Sequence, residues 1–150
     1  MKKEVITIKG KIEQNYEWPA GIAGTRFLQE LRDKGRIVGT KCSSCGDLKV
    51  VPRIFCEVCF KRIDDNWEVA SNTGTINTYT VSYTDIDAGR LEEPVILAVI
   101  NLDGGGSLFH YLGEVEPDKI HVGMKVEAAF KDQDERTGSI LDIKYFKPVS

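Results

Sequence analysis

Apolar positions follow two different periods along this chain. Between Thr25 and Lys34, Phe27, Leu28 and Leu31 fall on one helical face, with Gln29, Glu30, Arg32 and Asp33 on the polar side. That spacing predicts a short amphipathic helix. Thr25 is placed to cap its start, and Gly35 stands where a chain leaving a helix takes left-handed dihedrals. So short a helix is not stable alone in water, so its stripe needs a surface from this chain or from a partner. From Asn66 the period changes to two. Trp67–Ser71 opens a series of strands. In Thr75–Tyr83, Ile76, Thr78, Thr80 and Ser82 alternate with Thr75, Asn77, Tyr79, Val81 and Tyr83. Val95–Leu102, Leu108–Val115, a segment with Val126, Ala128 and Phe130, and a closing run with Leu141, Ile143 and Tyr145 follow. Asn72-Thr73-Gly74, Asp103-Gly104-Gly105-Gly106 and Lys119–Gly123 punctuate them as turns. Several short strands with no long helix among them predict a small antiparallel barrel or sandwich, and the length suits a five-stranded OB-fold barrel.

The stretch between these regimes has neither period, and it holds all four cysteines. They read Cys42-Ser43-Ser44-Cys45 and Cys56-Glu57-Val58-Cys59. Two residues between sulfurs let one tight turn present both to a single ion. Two such turns supply the four thiolates that tetrahedral zinc takes. Gly46 follows the first pair, and Pro52 and Arg53 precede the second. Arg36–Lys41 leads into the first turn as a strand and Leu48–Pro52 returns from it. With all four thiolates spent on the ion, no position is left for a catalytic water, so the zinc is structural. Iron takes the same ligands, and spacing alone does not distinguish the two. A redox dithiol expects one pair ahead of a helix, and a disulfide framework expects an export signal. The resulting division is an N-terminal arm and helix over 1–35, a zinc ribbon over 36–65 and an OB-fold over 66–150. Within the arm, Glu4–Glu13 reads as a strand or a loose segment. Tyr16 and Trp18 are expected to pack on the chain's own body.

Composition narrows the function classes. The chain has 150 residues, 41% of them hydrophobic, and a net charge of −3. No apolar run approaches a membrane span, and none of signal-peptide type follows Met1–Glu4, which together with reduced cysteines predicts a cytoplasmic protein. The acidic balance weighs against nucleic-acid binding, although zinc ribbons and OB-folds both occur in that role and Tyr79 and Tyr83 are spaced to stack on bases. Asp103–Gly106 lacks the strand-to-helix setting of a phosphate loop and reads as a hairpin turn. His110 lies in a strand and His121 in a turn, with no cysteine or serine at a meaningful spacing. No residue is assigned as catalytic. Lys41, Lys49, Arg53, Lys61 and Arg62 make the ribbon a basic spot on an acidic chain.

Taken together, these motifs resemble the family once catalogued as domain of unknown function thirty-five, built from an N-terminal helix, a rubredoxin-like zinc ribbon and a C-terminal OB-fold. The resemblance runs from about Tyr16 to Tyr145. It rests on Phe27-Leu28, Leu31, Gly35-Arg36-Ile37, Gly39-Thr40-Lys41-Cys42, Cys45-Gly46, Val51-Pro52-Arg53 and Cys56 to Cys59. It continues through Trp67, Gly74-Thr75-Ile76, Tyr79-Thr80-Val81, Pro94, Leu102-Asp103-Gly104 and Gly123-Met124-Lys125-Val126. Val51 stands where the family often has a first proline, and Glu57 where it often has proline after the third cysteine. The resemblance implies a mainly β, non-catalytic scaffold of acyl-CoA metabolism. Its implied partners are thiolase-like and hydroxymethylglutaryl-CoA-synthase-like enzymes, which it would bridge. It also implies binding of acyl-CoA or coenzyme A, and Lys49, Arg53 and Lys61 are the cations that charge selects for the coenzyme's phosphates.

Overall fold

In the computed structural model, which describes residues 6–8, 10, 14–87 and 89–149, the first apolar stripe forms helix α1, Gly21–Lys34. The helix begins four residues before the expected cap. Thr25 is an exposed interior residue, and Ala20 occupies the N-cap without a side-chain bond. The missed signal is Ala23, whose small side chain extends the buried line to Ala23, Phe27 and Leu31. At the other end Gly35 adopts φ 57° and its N–H returns to Leu31 O at 3.0 Å. That dihedral costs glycine nothing. The predicted Glu4–Glu13 element falls mostly outside the described residues. Tyr16 and Trp18 do not pack on the chain's body. They are 67% and 78% exposed and stack edge to face on each other at 5.4 Å.

Three short strands make the first sheet: β1 (Val38–Lys41), β2 (Leu48–Lys49) and β3 (Trp67–Val69), in the order β2-β1-β3. Trp67–Val69 was expected to open the barrel. Instead it pairs antiparallel with β1, Gly39 opposite Glu68. The second sheet contains β4 (Thr73–Thr84), β5 (Arg90–Leu102), β6 (Ser107–Tyr111), β7 (Lys125–Phe130) and β8 (Ile143–Pro148), ordered β6-β5-β4-β7-β8. Its edges approach at one parallel bridge, Leu112 with Phe146, where the Gly113 N–H donates to Phe146 O at 2.9 Å. This is the strand order of an OB-fold, with the last seam a single bridge and not a continuous ladder. Asp103–Gly106 is the β5–β6 hairpin turn, closed by Leu102 N–H to Gly106 O at 2.9 Å. Leu141 belongs to a 3-10 turn, Ile140–Asp142, ahead of β8.

Strict alternation fails inside β4. Ile76 pairs with Ile100, yet Thr78 pairs with Val99, so Asn77 is an extra residue. This β-bulge reverses the faces beyond it. Ile76 therefore shares the inner face with Tyr79 and Val81, opposite Ala98 and Ile96, and not with Thr78 and Thr80. A second irregularity between Ser82 and Thr84 takes Tyr83 out of the regular ladder. Tyr79 is also committed, donating its hydroxyl to Ile120 O at 3.1 Å. The two tyrosines are thus not a matched stacking pair.

One core joins all three parts. Phe27 and Leu31 from the helix, Ile37 just ahead of β1, Val38 and Leu48 from the first sheet, and Ile76, Ile100, Val126, Ile143 and Phe146 from the barrel belong to one buried cluster. The helix stripe is covered by its own chain. Leu31 is fully buried, so Leu31→Ala is expected to cost about 2–5 kcal/mol through lost burial and a residual cavity. Urea unfolding of the two proteins measures it.

The charged loop after β7 is organised by an unanticipated residue. Asp142 is fully buried. Its Oδ1 accepts the Thr137 N–H at 3.0 Å, and its Oδ2 accepts those of Gly138 at 2.8 Å and Ser139 at 3.1 Å. Ser139 Oγ accepts from Leu141 N–H, completing a capping box. Burial disfavours the charge, but the three N–H groups and Lys131 outweigh it and lower the carboxyl pKa. This loop and the 3-10 turns Gln133–Glu135 and Ile140–Asp142 form the seat of α1.

Candidate metal centre

Two chain reversals of the same design present the cysteines. In the first, Cys42 N–H donates to Asp47 O at 2.9 Å and Gly46 N–H to Cys42 O at 2.8 Å. In the second, Cys56 N–H donates to Lys61 O at 2.9 Å and Phe60 N–H to Cys56 O at 2.8 Å. Gly46 and Phe60 therefore hold equivalent positions, and both take positive φ, 76° and 53°. Glycine adopts that region freely, whereas an L side chain pays on the order of 1 kcal/mol. Each reversal is tied to the first sheet. Thr40, buried on β1, exchanges two 3.0 Å hydrogen bonds with the Arg53 backbone through its hydroxyl. Asn66 Nδ2 donates to Lys41 O at 2.9 Å.

The ligand atoms of Cys42, Cys45, Cys56 and Cys59 all lie within 4.8 Å of one another, with Cys45 Sγ 3.8 Å from Cys56 Sγ. Tetrahedral zinc–thiolate bonds of about 2.3 Å place sulfurs about 3.8 Å apart, so the donor set fits one ion. Cys42 and Cys56 are buried over Ile63, while Cys45 is exposed. Backbone N–H groups of Cys45 and Ser44 point at Cys42 and bring its thiol down to about 6. Cys45 receives help from the Asp47 N–H, but the crowded neighbouring sulfurs and burial push it up to about 11. One thiolate forms readily and the next does not. A divalent cation removes that conflict by neutralising the negative charge the four would share.

Beside the centre, Lys49 links the two reversals. Its ammonium is 2.5 Å from Asp47 and 2.8 Å from Glu57, and its side chain is only 9% exposed. Those carboxylates, Asp47 first, raise its pKa against the effect of burial, and Lys49 in turn lowers that of Glu57. Its charge is spent within the ribbon. Arg53 is open, 4.0 Å from Glu57. Together with Lys49, Leu48, Val50, Gly106 and Ser107 it lines a cleft of about 250 Å³ between ribbon and hairpin turn. Lys61 is exposed and does not line that cleft. The three candidate cations are thus not one site. Charge counting along the sequence missed this because the pairing carboxylates sit two residues before and eight after Lys49.

His110 is buried. Its Nδ1 accepts the Tyr111 N–H at 2.9 Å and its Nε2 faces Ile140 O at 3.2 Å, while burial lowers its pKa. It is a neutral imidazole with both nitrogens occupied. No helix among the described residues is long and apolar enough to cross a membrane.

Two family models match the chain in order. The rubredoxin-like zinc ribbon domain of ChsH2 covers residues 29–65, and the C-terminal OB-fold domain of ChsH2 covers residues 67–131. A DUF35 domain-containing scaffold protein of Methanocaldococcus jannaschii is 25% identical over 126 residues, spanning 83% of this chain and 89% of that one. A solved structure described as an Ltp2–ChsH2(DUF35) aldolase superposes with TM-score 0.60 at 26% identity, covering 87% of this chain and 98% of the matched chain. A probable enoyl-CoA hydratase alpha subunit of Thermomonospora curvata is 28% identical over 131 residues, which are 87% of this chain but 39% of the subunit.

Proposed function

Because this chain belongs to the DUF35 family of zinc-ribbon and OB-fold proteins, we propose that it is a non-catalytic accessory scaffold of acyl-CoA metabolism. One observation carries the reading: a chain matched over nearly its whole length is named jointly with a second protein as an aldolase. The scaffold name of the M. jannaschii relative and the hydratase subunit name of the T. curvata relative support it. In this reading Cys42, Cys45, Cys56 and Cys59 hold a structural zinc ion, and the enzymes served are thiolase-like or hydroxymethylglutaryl-CoA-synthase-like. The scaffold bridges them and takes part in holding acyl-CoA or coenzyme A. Arg53, which lines the cleft, contacts the coenzyme's phosphates and Lys49 braces the ribbon beside it, while Lys61, outside the cleft, is left free of that role. The engagement of both His110 nitrogens supports a protein that positions chemistry done by others.

The test is gentle purification of the tagged protein from its native cells with nuclease present. A thiolase-like enzyme recovered in stoichiometric amount is the expected result. Recovery alone, or with nucleic-acid proteins that nuclease removes, overturns the reading. For the coenzyme, the affinity of the recovered assembly for coenzyme A is expected to weaken about tenfold in Arg53→Ala. Unchanged affinity removes Arg53 from the site.

A further inference from the structure

The two reversals share a backbone design and differ in what they show to solvent. The first exposes Ser43, Ser44 and Gly46. The second exposes Val58 at 66% and Phe60 at 82%, and Phe55, entering it, at 56%. Phe60 occupies the position that Gly46 fills in the first, at φ 53°. A phenylalanine there is disfavoured by its backbone, and at that exposure its ring gains little within this chain to offset the strain. The turn's backbone bond holds that dihedral, and strained residues of this kind cluster at binding and switch sites. Cations surround this apolar tip. Lys61 follows Phe60, is exposed, and pairs with no carboxylate among the described residues. Arg62 stands opposite Phe55 across an antiparallel bridge and is 67% exposed beside Asp64. Arg53 precedes the reversal, 61% exposed and 4.0 Å from Glu57, a carboxylate within the reversal that is also held by Lys49.

We propose that the second metal reversal is a docking plug: Phe60, flanked by Val58 and Phe55, seats in an apolar pocket rimmed by carboxylates on a partner protein. The acidic rim follows from Lys61, whose charge a pocket of that sign complements. An exposed aromatic anchor encircled by polar contacts is the usual composition of an interface hot spot. The identity of that partner as an acyl-CoA enzyme rests on the function proposed above; the surface itself does not. The metal gives the plug its stiffness, since Phe60 N–H is bonded to a ligand residue, Cys56.

The test uses the full chain in its native cells, with Phe60 replaced by the photo-crosslinker p-benzoylphenylalanine. A control carries the same group at Ile86, which is fully exposed at the far end of the β4–β5 hairpin. Crosslinks from position 60 are expected on one thiolase-like enzyme, on peptides lining an apolar pocket with Asp or Glu at its mouth. None are expected from position 86. Phe60→Gly makes a sharper check because its two effects have opposite signs. The variant is expected to melt higher and keep its metal, yet to bind the purified enzyme at least tenfold more weakly. If the enzyme is recovered but Phe60→Gly binds it as well as the wild type, the plug is wrong and the scaffold reading stands. A crosslink to a single protein outside acyl-CoA metabolism keeps the plug and overturns the scaffold reading. Neither enzyme nor crosslink overturns both.

Discussion

Replacing Cys56 by serine is expected to unfold the ribbon, not merely to strip its ion. The sulfur is fully buried, and the local core under it consists of Cys42, Cys56 and Ile63 with Cys59 at its edge. So small an apolar cluster cannot offset the entropy of ordering the two reversals, although the strands beside them share the main core. The ion must supply the difference, and structural zinc contributes about 10–16 kcal/mol of binding free energy in isolated finger peptides. Serine removes one thiolate and leaves the remaining three competing for an open site. Metal content is expected to fall well below one ion per chain. Amide exchange is expected to rise throughout 38–69 and, through Val38 and Leu48 in the shared core, to a smaller degree in the barrel. Chelation of the wild type is expected to give the same pattern. If Cys56→Ser retained both metal and protection, the four-cysteine assignment would be wrong.

Asp142→Ala carries the second large effect. Three backbone N–H groups lose a fully buried acceptor; Thr137 is exposed but Gly138 and Ser139 are half-buried, and each such loss costs about 1–3 kcal/mol where water does not replace it. A net loss of about 3–5 kcal/mol is expected. Asp142→Asn is expected to cost less, because its oxygen can still serve Gly138 and Ser139 while its amide nitrogen opposes the single donor of Thr137. The acid limb of stability separates the charge from the shape. The folded carboxyl is held below its ordinary value of 3.8, so its contribution is complete above that pH. As the pH falls, the unfolded chain takes up the proton first, and the stabilisation is lost down through the lower folded value. Urea midpoints measured from pH 6 to pH 2.5 are expected to fall more steeply for the wild type than for Asp142→Asn. Parallel curves would show that the carboxylate's charge is not what organises the loop.

The parts of this protein that were legible in its sequence are those fixed by short-range chemistry. Two matched cysteine pairs define a metal centre because the spacing within each pair is set by one turn, and the residues between pairs need only bring the turns together. Asp103–Gly106 declares a hairpin by composition. The OB-fold follows from strand count and turn spacing. What escaped depends on contacts that spacing does not encode. Ala23 does not stand out as part of an apolar stripe, so the first turn of α1 was lost. Asn77 resembles any polar strand residue, and only pairing with β5 reveals it as a bulge that reverses the faces of Tyr79 and Val81. Trp67–Val69 has the composition of any strand, and its place beside β1 is a matter of tertiary hydrogen bonding. Lys49 is a free cation by sequence alone, and only the fold brings Asp47 and Glu57 around it. Asp142 was signalled by Ser139-Ile140-Leu141-Asp142, a capping-box spacing outside any long helix and therefore easy to pass over.

The seat of helix α1 has a consequence for how the molecule is made. The helix, Gly21–Lys34, leaves the ribosome well before the segment that covers much of it, which lies between residues 133 and 142. Until that loop emerges and Asp142 gathers its three N–H groups, Phe27 and Leu31 lack part of their cover. While the residues between helix and loop are being made, the nascent chain thus carries a sticky, incompletely covered amphipathic segment. The order of synthesis makes that segment a natural client for a holding chaperone, and truncated products ending before Asp142 are expected to be its most persistent cargo.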